Sequence, residues 1–378
     1  MHYRSLNFMR YIHKNTLSEL YFAVVLKSLA LSMVGIFVPV YMYTELNFSL
    51  NQLSYFFLVW ALLFALLTPI VAKIAAKFGL KHMIVASVPF EILFVALLVL
   101  MKTHDISYIY AAIVYTFAGA FFWTGFDIEF AKVSDKKKRG SEVGFLFFAI
   151  TLAGIIGPFF GGLILTFLGF NVLFYVFTFL LIIGAVPLLG SHDDYEEVSF
   201  SLVHIFKKKY AKDMLAFSGL GSRAVAAVIF WPLFIFIMLG GYMELGILAT
   251  GAGLITALFS FYVGKLSDRK GRKKILDIGA IIHSITWAVR LFAYTFFQLF
   301  VVELISGLSF VLASIPFNSM FYDKMGKRNK IEYLIFKEIG FTVGKVITLV
   351  AVILSGNLIV SFLIAGVASL AYMLYSEK

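Results

Sequence analysis

The chain has 378 residues, 61% of them hydrophobic and 14% charged, with a mean hydropathy of +0.94; soluble globular proteins are about 45–50% apolar, so water is excluded as the main solvent. The formal net charge is +11, but the basic residues recur in short bursts between apolar runs, which marks membrane topology and excludes a contiguous nucleic-acid-binding face. Cysteine is absent, which excludes thiolate catalysis, disulfides and cysteine metal sites.

The first fifteen residues are basic and mildly amphipathic, and no small-residue cleavage site follows the first apolar run, so a retained span is expected rather than a removable signal. Crossing the ~30 Å hydrocarbon layer takes roughly 20 apolar residues. Runs of that order lie at about 18–43, 51–72, 81–101, 106–131, 141–168, 170–190, 213–239, 242–263, 275–294, 297–322, 331–355 and 357–375. They predict an all-α membrane protein of twelve transmembrane helices. The longest polar interval, Ser191 to about Lys212, leaves no room for a soluble catalytic domain. It reads as a cytoplasmic linker over 191–211 between six-helix bundles at 1–190 and 212–378. Phe200, Leu202, Val203 and Phe206 fall near one helical face beside Lys207 to Lys209, as in a helix lying along the inner leaflet, although a solvated basic linker fits equally.

With the N-terminus inside, the cytoplasmic segments collect Arg4, Arg10 and Lys14, then the clusters at Lys73–Lys81, Lys132–Arg139, Lys207–Lys212, Lys265–Lys274 and Lys324–Lys330, leaving Lys102 outside. The opposite orientation reverses this bias, so both termini are expected in the cytoplasm of a multi-pass cell-membrane protein.

Sliding the second half over the first exposes a repeat. VAKIAAKFGLKH from Val71 matches VGKLSDRKGRKK from Val263, which places Gly79 and Lys81 on Gly271 and Lys273; IFVP ending at Pro39 resembles IFWP ending at Pro232; FDIEFAKVSDKKKRG loosely resembles FNSMFYDKMGKRN. A shift of six helices keeps each copy in the same orientation. Two parallel repeats about an axis along the membrane normal are therefore expected, with a central cavity and alternating access between them.

GKLSDRKGRKK, with Gly264, Leu266, Asp268, Arg269, Gly271, Arg272 and Lys273, resembles the cytoplasmic loop motif G-x-L-x-D-R-x-G-R-K/R of the major facilitator superfamily. The glycines permit a tight turn between close spans, Asp268 can face a helix N-terminus, and the arginines can pair with carboxylates across the seam between halves. The resemblance implies a conformational latch that stabilises the outward-facing state, with Glu142 as the candidate across the seam. Setting topology alone is the plainer alternative. The first-half copy has Ala72 and Ala76 in place of the glycine and aspartate, so a weaker latch is expected there.

GIIGPFFGG, with Gly154, Gly157, Pro158, Gly161 and Gly162, resembles the antiporter motif of exporters in this superfamily and marks a hinge in the fifth span, where small residues let helices approach and Pro158 can bend the chain. Ordinary helix packing is the alternative. Family exporters often carry an arginine in the fourth span, but AGAFFWTGF from Ala118 to Phe126 has none, which counts against a standard proton-antiport machine.

Ionisable side chains at membrane depth cost roughly 2.5–3.5 kcal/mol on insertion scales, so each is a functional candidate unless it pairs or snorkels. The family fold implies a cavity lined by spans 1, 4, 7 and 10, which carry Lys27, Asp127, Glu129, Arg223 and Glu303. Lys27 and Arg223 can face an anionic solute or a carboxylate, and Asp127 and Glu129 can balance them. Desolvation favours the protonated carboxyl, so either acid can take a proton near neutral pH and release it when the cavity opens. Pairing with the Lys136–Arg139 cluster is the structural alternative for both. Glu91 and Arg290 fall on spans that the family fold makes peripheral, where structural pairing is expected; Lys345 in the eleventh span is a closer case. Tyr41, Tyr115, Trp123, Trp231, Phe317 and Tyr322 can make an aromatic cavity or face lipid.

A secondary active transporter of a small organic solute follows, directed toward proton-coupled efflux, with protons and the lipid bilayer as partners and no cofactor. Walker, zinc-helix and nucleophile-elbow patterns are missing, and His283 stands alone, so no enzyme is expected. An importer or facilitator of a polar nutrient is the rival within the class, and a non-transporting receptor or scaffold of the same fold is the rival outside it.

Overall fold

The computed structural model describes residues 16–133, 139–189, 210–326 and 330–376, and among them the chain is helical. In chain order the helices are α1 (Thr16–Gly35), α2 (Val38–Thr44), α3 (Leu50–Phe78), α4 (Leu80–Leu100), α5 (Tyr108–Val133) and α6 (Arg139–Leu189). The second half follows with α7 (Ala211–Val225), a π-helical turn (Ala226–Phe230), α8 (Trp231–Leu239), α9 (Tyr242–Lys270) and α10 (Arg272–Val289). A 3-10 turn (Arg290–Phe292), α11 (Phe296–Gly326), α12 (Lys330–Ser355), α13 (Ile359–Leu370) and a last 3-10 turn (Ala371–Leu374) complete it. Helices answer the composition, because in hydrocarbon every backbone N–H and C=O must be satisfied within its own segment. Ten helices among the described residues are long and apolar enough to cross a membrane. One of these spans, Thr151–Leu189, is 39 residues long, and Ile359–Leu374 is a shorter apolar helix.

The interruptions follow local chemistry. Gly79 (φ 99°) and Gly271 (φ 88°) each occupy the N-cap between two spans in a backbone region that a Cβ disfavours. They are the glycines that the sequence repeat aligns. In α6 the backbone leaves helical geometry at Gly169 (φ 79°, ψ 178°), while Pro158 stays within the helix. The interruption falls between the fifth and sixth apolar runs, where glycine tolerates the left-handed side of φ.

By packing, the chain forms two compact units, residues 1–35 with 66–198, and 36–65 with 199–378. In the first, α1 lies along α6 and α4 along α5, around Ala23, Val24, Ile84, Phe122, Phe126 and Leu188. In the second, α7 packs on α12, and α11 on α9 and α10. Its core is aromatic: Phe217 contacts the rings of Phe317, Phe321, Tyr333, Phe336 and Tyr375. Residues 191–209, where an interfacial helix was expected, lie outside the described residues.

Candidate functional site

In the first unit, α1 carries Lys27 inward against α4. Its Nζ lies 2.6 Å from Glu91 Oε1, donates to Ser87 Oγ at 2.8 Å, and sits 3.8 Å from the centroid of the Phe122 ring. Ser87 and Glu91 are one helical turn apart, so both reach the same ammonium. Ser87 spends its own proton on the Ile84 carbonyl, which leaves its oxygen lone pairs for Lys27. The carboxylate on Lys27 therefore comes from the third span, which the sequence reading had set aside as peripheral. The side chains of Asp127, Glu129 and Glu142 lie outside the described residues.

In the second unit, Arg223 stands at the end of α7. Pro232 has no N–H to offer the Val228 carbonyl, and the backbone before it widens into the π-helical turn, in which Trp231 N–H reaches Ala226 O; such bulges often occur at functional sites. The Arg223 guanidinium lies 3.5 Å from the centroid of the Phe310 ring, and its Nε is buried without an acceptor. Nearby, Arg290 donates to Glu303 Oε2 at 2.8 Å and to Ser306 Oγ at 2.7 Å, between the faces of Trp231 and Trp287. Trp231 Nε1 also donates to Glu303 Oε2, at 2.6 Å. Arg223 and Glu303, both expected from the sequence, are thus brought into one electrostatic cluster, with Arg290 as the member that sequence reasoning had discounted.

His283 is fully buried and serves this cluster structurally. Ser309 Oγ donates to Ser306 O, so it accepts from His283 Nδ1 at 3.0 Å; His283 Nε2 accepts from Trp287 Nε1 at 3.2 Å. Both ring nitrogens are used, which assigns the neutral Nδ1–H tautomer.

The loop motif divides. Gly264 lies within α9 with open space where a Cβ would stand, so the tight turn belongs to Gly271 alone. Arg272 pairs with Asp323 at the end of α11, and Lys273 with Asp277 and the Met373 carbonyl. These partners are in the same unit; the Glu142 side chain, expected opposite the loop across the seam between halves, lies outside the described residues. Arg269 is exposed, and the Asp268 side chain lies outside the described residues. In the fifth span Gly157, Pro158, Gly161 and Gly162 are all buried. A Cβ on Gly157 would stand 1.8 Å from Ser32 Oγ, and that hydroxyl donates to the Ala153 carbonyl at 3.0 Å, so Gly157 lies in the contact between α1 and α6.

A sequence profile described as Major Facilitator Superfamily matches residues 20–243. The chain belongs to the major facilitator superfamily. Over 250 residues, 62% of this chain, it is 22% identical to the Bacillus subtilis (strain 168) protein described as Uncharacterized protein YqgE; the aligned part is 58% of that relative's length. The fold is similar to that of the crystal structure of the nucleoside transporter NupG, with a TM-score of 0.72 at 16% identity over 94% of this chain and 97% of that one.

Three features of this superfamily member escaped the sequence reading. Lys324, counted with the topology-setting loop, is buried and donates to both oxygens of Asp213, at 2.8 and 2.9 Å, while Tyr333 adds a third hydrogen bond to that carboxylate. Ser218 and Ser222 on α7 donate to the carbonyls of Gly340 and Gly344 on α12, each at 3.0 Å. Lys345 is caged by Trp60, Phe341 and Phe64 at 4.2, 4.5 and 5.5 Å. The four-residue spacing of small residues was the available signal for the second; the aromatic cage joins α3 to α12 and has no local signature.

Proposed function

We propose that the protein is a secondary active transporter of a small organic solute, working by alternating access between two parallel six-helix repeats and coupling export to protons. The observation that carries this reading is the burial of ionisable groups at membrane depth in a chain of this superfamily: Lys27 with Glu91, and Arg223 with Arg290 and Glu303. Apolar groups of similar volume are often at least as stabilising as such pairs, so their retention at membrane depth supports a functional role.

Twelve crossings are inferred from the ten long spans. At 1.5 Å per residue the 39-residue stretch Thr151–Leu189 reaches about 58 Å, roughly two hydrocarbon thicknesses, and Gly169 divides it; Ile359–Leu374 is the twelfth. The matching conformations of Gly79 and Gly271 support the repeat. The bias of basic residues supports cytoplasmic termini in the cell membrane. The loop from Gly264 to Lys274, with Asp268 and Arg272, is the proposed conformational latch, and Gly157 to Gly162 the proposed sliding contact of the fifth span. Asp127 and Glu129 are the proposed proton carriers. The likeness to a nucleoside transporter supports the fold and leaves the solute open.

A second reading, uptake or facilitated diffusion of a polar nutrient, is favoured by the lack of an arginine between Ala118 and Phe126. Vesicles containing the purified protein decide between the two. With a solute selected by thermal-shift screening, export predicts solute movement driven by an imposed proton gradient and counter-movement of protons, both reduced in Asp127→Asn and Glu129→Gln. Equal flux without a gradient selects the facilitator. Unchanged pH dependence in both variants and in the double variant removes the proton role of the two acids.

A further inference from the structure

We propose that Arg223, beside the Arg290–Glu303 pair, is the oxyanion-recognition site of this protein, so that the transported solute carries a carboxylate or phosphate group. The proposal rests on the transporter reading above and deepens it.

Among the described residues, the charged side chains that act on one another here are two guanidiniums and one carboxylate: Arg223, Arg290 and Glu303. Arg290 is satisfied in part by Glu303 and Ser306. Arg223 has a ring face and no acid, since no described carboxylate lies within ion-pair distance of it. Phe310 offers its π-electrons to the face of the guanidinium, but the N–H edge still requires acceptors. The donors left over are Arg223 Nε, Arg290 Nε and Arg290 Nη1, all buried without partners. Leaving a charged donor buried and unpaired is among the most destabilising arrangements a protein retains. An incoming oxyanion relieves it.

Glu303 has reason not to fill that role itself. Its Oε2 accepts from Trp231 Nε1 and Arg290 Nη2 together, which tethers the carboxylate to the Arg290 side of the cluster. His283, neutral and fully bonded, supplies no negative charge. The less enclosed end of the cluster is formed by Glu303, whose side chain is 28% exposed against 3% for Arg290, and by the partly exposed Arg223. Arg290 is thus a positioning residue and Arg223 the contact. Lys27, the other cation expected to face an anionic solute, is already saturated by Glu91, Ser87 and Phe122. A planar fork of donors favours carboxylate and phosphate oxygens, which can accept two parallel hydrogen bonds.

Thermal unfolding of the purified full chain in detergent tests the proposal with matched probes at constant ionic strength: phenylacetate against phenylacetamide, phenyl phosphate against phenol, and inorganic phosphate. Stabilisation by an oxyanion and not by its uncharged counterpart is expected. Arg223→Gln should weaken the apparent affinity about tenfold to hundredfold, the loss typical of one charged hydrogen-bonding partner, and Arg223→Lys should restore part of it. Trp231→Phe, which frees Glu303 to approach Arg223, should also weaken anion binding. If Arg223→Gln does not fold, the wild-type comparison of charged and uncharged probes decides. Equal stabilisation by both members of each pair, stabilisation by none of the anions, or undiminished binding in a folded Arg223→Gln overturns the proposal. So does stabilisation by added phosphatidylglycerol alone, which would make the oxyanion a lipid headgroup. Anion binding without flux in vesicles sustains this site while removing the transporter reading; flux of an uncharged solute untouched by Arg223→Gln does the reverse.

Discussion

Lys27 Nζ meets Glu91 Oε1 at 2.6 Å, with the two side chains 6% and 5% exposed, so neither charge has water to fall back on. Removing one partner of such a pair destabilises by about 3–5 kcal/mol, whereas replacing both with apolar groups is often neutral. Glu91→Leu and Lys27→Met are each expected to lower the unfolding temperature in detergent. The double variant Lys27→Met/Glu91→Leu is expected to recover most of the loss. Simple addition of the two single effects would show that the charges are not coupled.

Gly344 and Ser218 define how closely α7 and α12 approach: a Cβ at Gly344 would stand 1.8 Å from the Ser218 carbonyl oxygen. Backbone gives way less readily than a side chain, so Gly344→Val is expected to destabilise at the upper end of the ~1–3 kcal/mol of ordinary overpacking, or to abolish the monodisperse fold on size-exclusion chromatography. Ser222→Ala removes only its hydrogen bond to the Gly344 carbonyl and should cost about 0.5–1.5 kcal/mol. A Gly344→Val protein as stable as Ser222→Ala would contradict the packing.

Arg272 and Asp323 form a half-exposed ion pair, with side chains 30% and 58% accessible; screened pairs of this kind contribute about 0–1 kcal/mol. Asp323→Asn should therefore leave the unfolding temperature within a degree or two. If the loop is a latch, Asp268→Asn should shift the accessibility of cysteines introduced at the cytoplasmic ends of the spans, with no matching loss of stability. Unchanged labelling in Asp268→Asn would reduce the motif to a topology signal.

What the sequence made legible is what depends on local chemistry. Apolar runs announced helices, since hydrocarbon leaves the backbone no other partner, and Gly79 and Gly271 announced the two tight turns because each needs a conformation that a Cβ resists. Residue type brought Lys27, Arg223 and Glu303 forward, because a charge at membrane depth is rare, together with the spans that the family resemblance assigns to the cavity. Pairing was not legible. Glu91 lies sixty-four positions from Lys27, and nothing in either stretch specifies which face of α4 turns toward α1. Lys324 was misleading for the same reason: a lysine at a span end reads as topology until the fold brings Asp213 to it.

Lys345 supplies the last test. Its ammonium lies 4.2 Å from the Trp60 ring and 4.5 Å from that of Phe341, it is 4% exposed, and no described carboxylate lies within ion-pair distance. A desolvated cation over an indole gains about 2 kcal/mol or more from the ring. Removing the ring and removing the charge should therefore have opposite consequences. Trp60→Leu leaves the ammonium without its best partner and is expected to destabilise by about that amount, while Lys345→Met, which keeps the length and loses the charge, is expected to be neutral or stabilising. In Lys345→Met the Trp60→Leu change should then cost only its lost packing. A double-mutant cycle read by thermal unfolding measures the difference, and a coupling energy indistinguishable from zero would mean that the aromatic cage does not hold the charge.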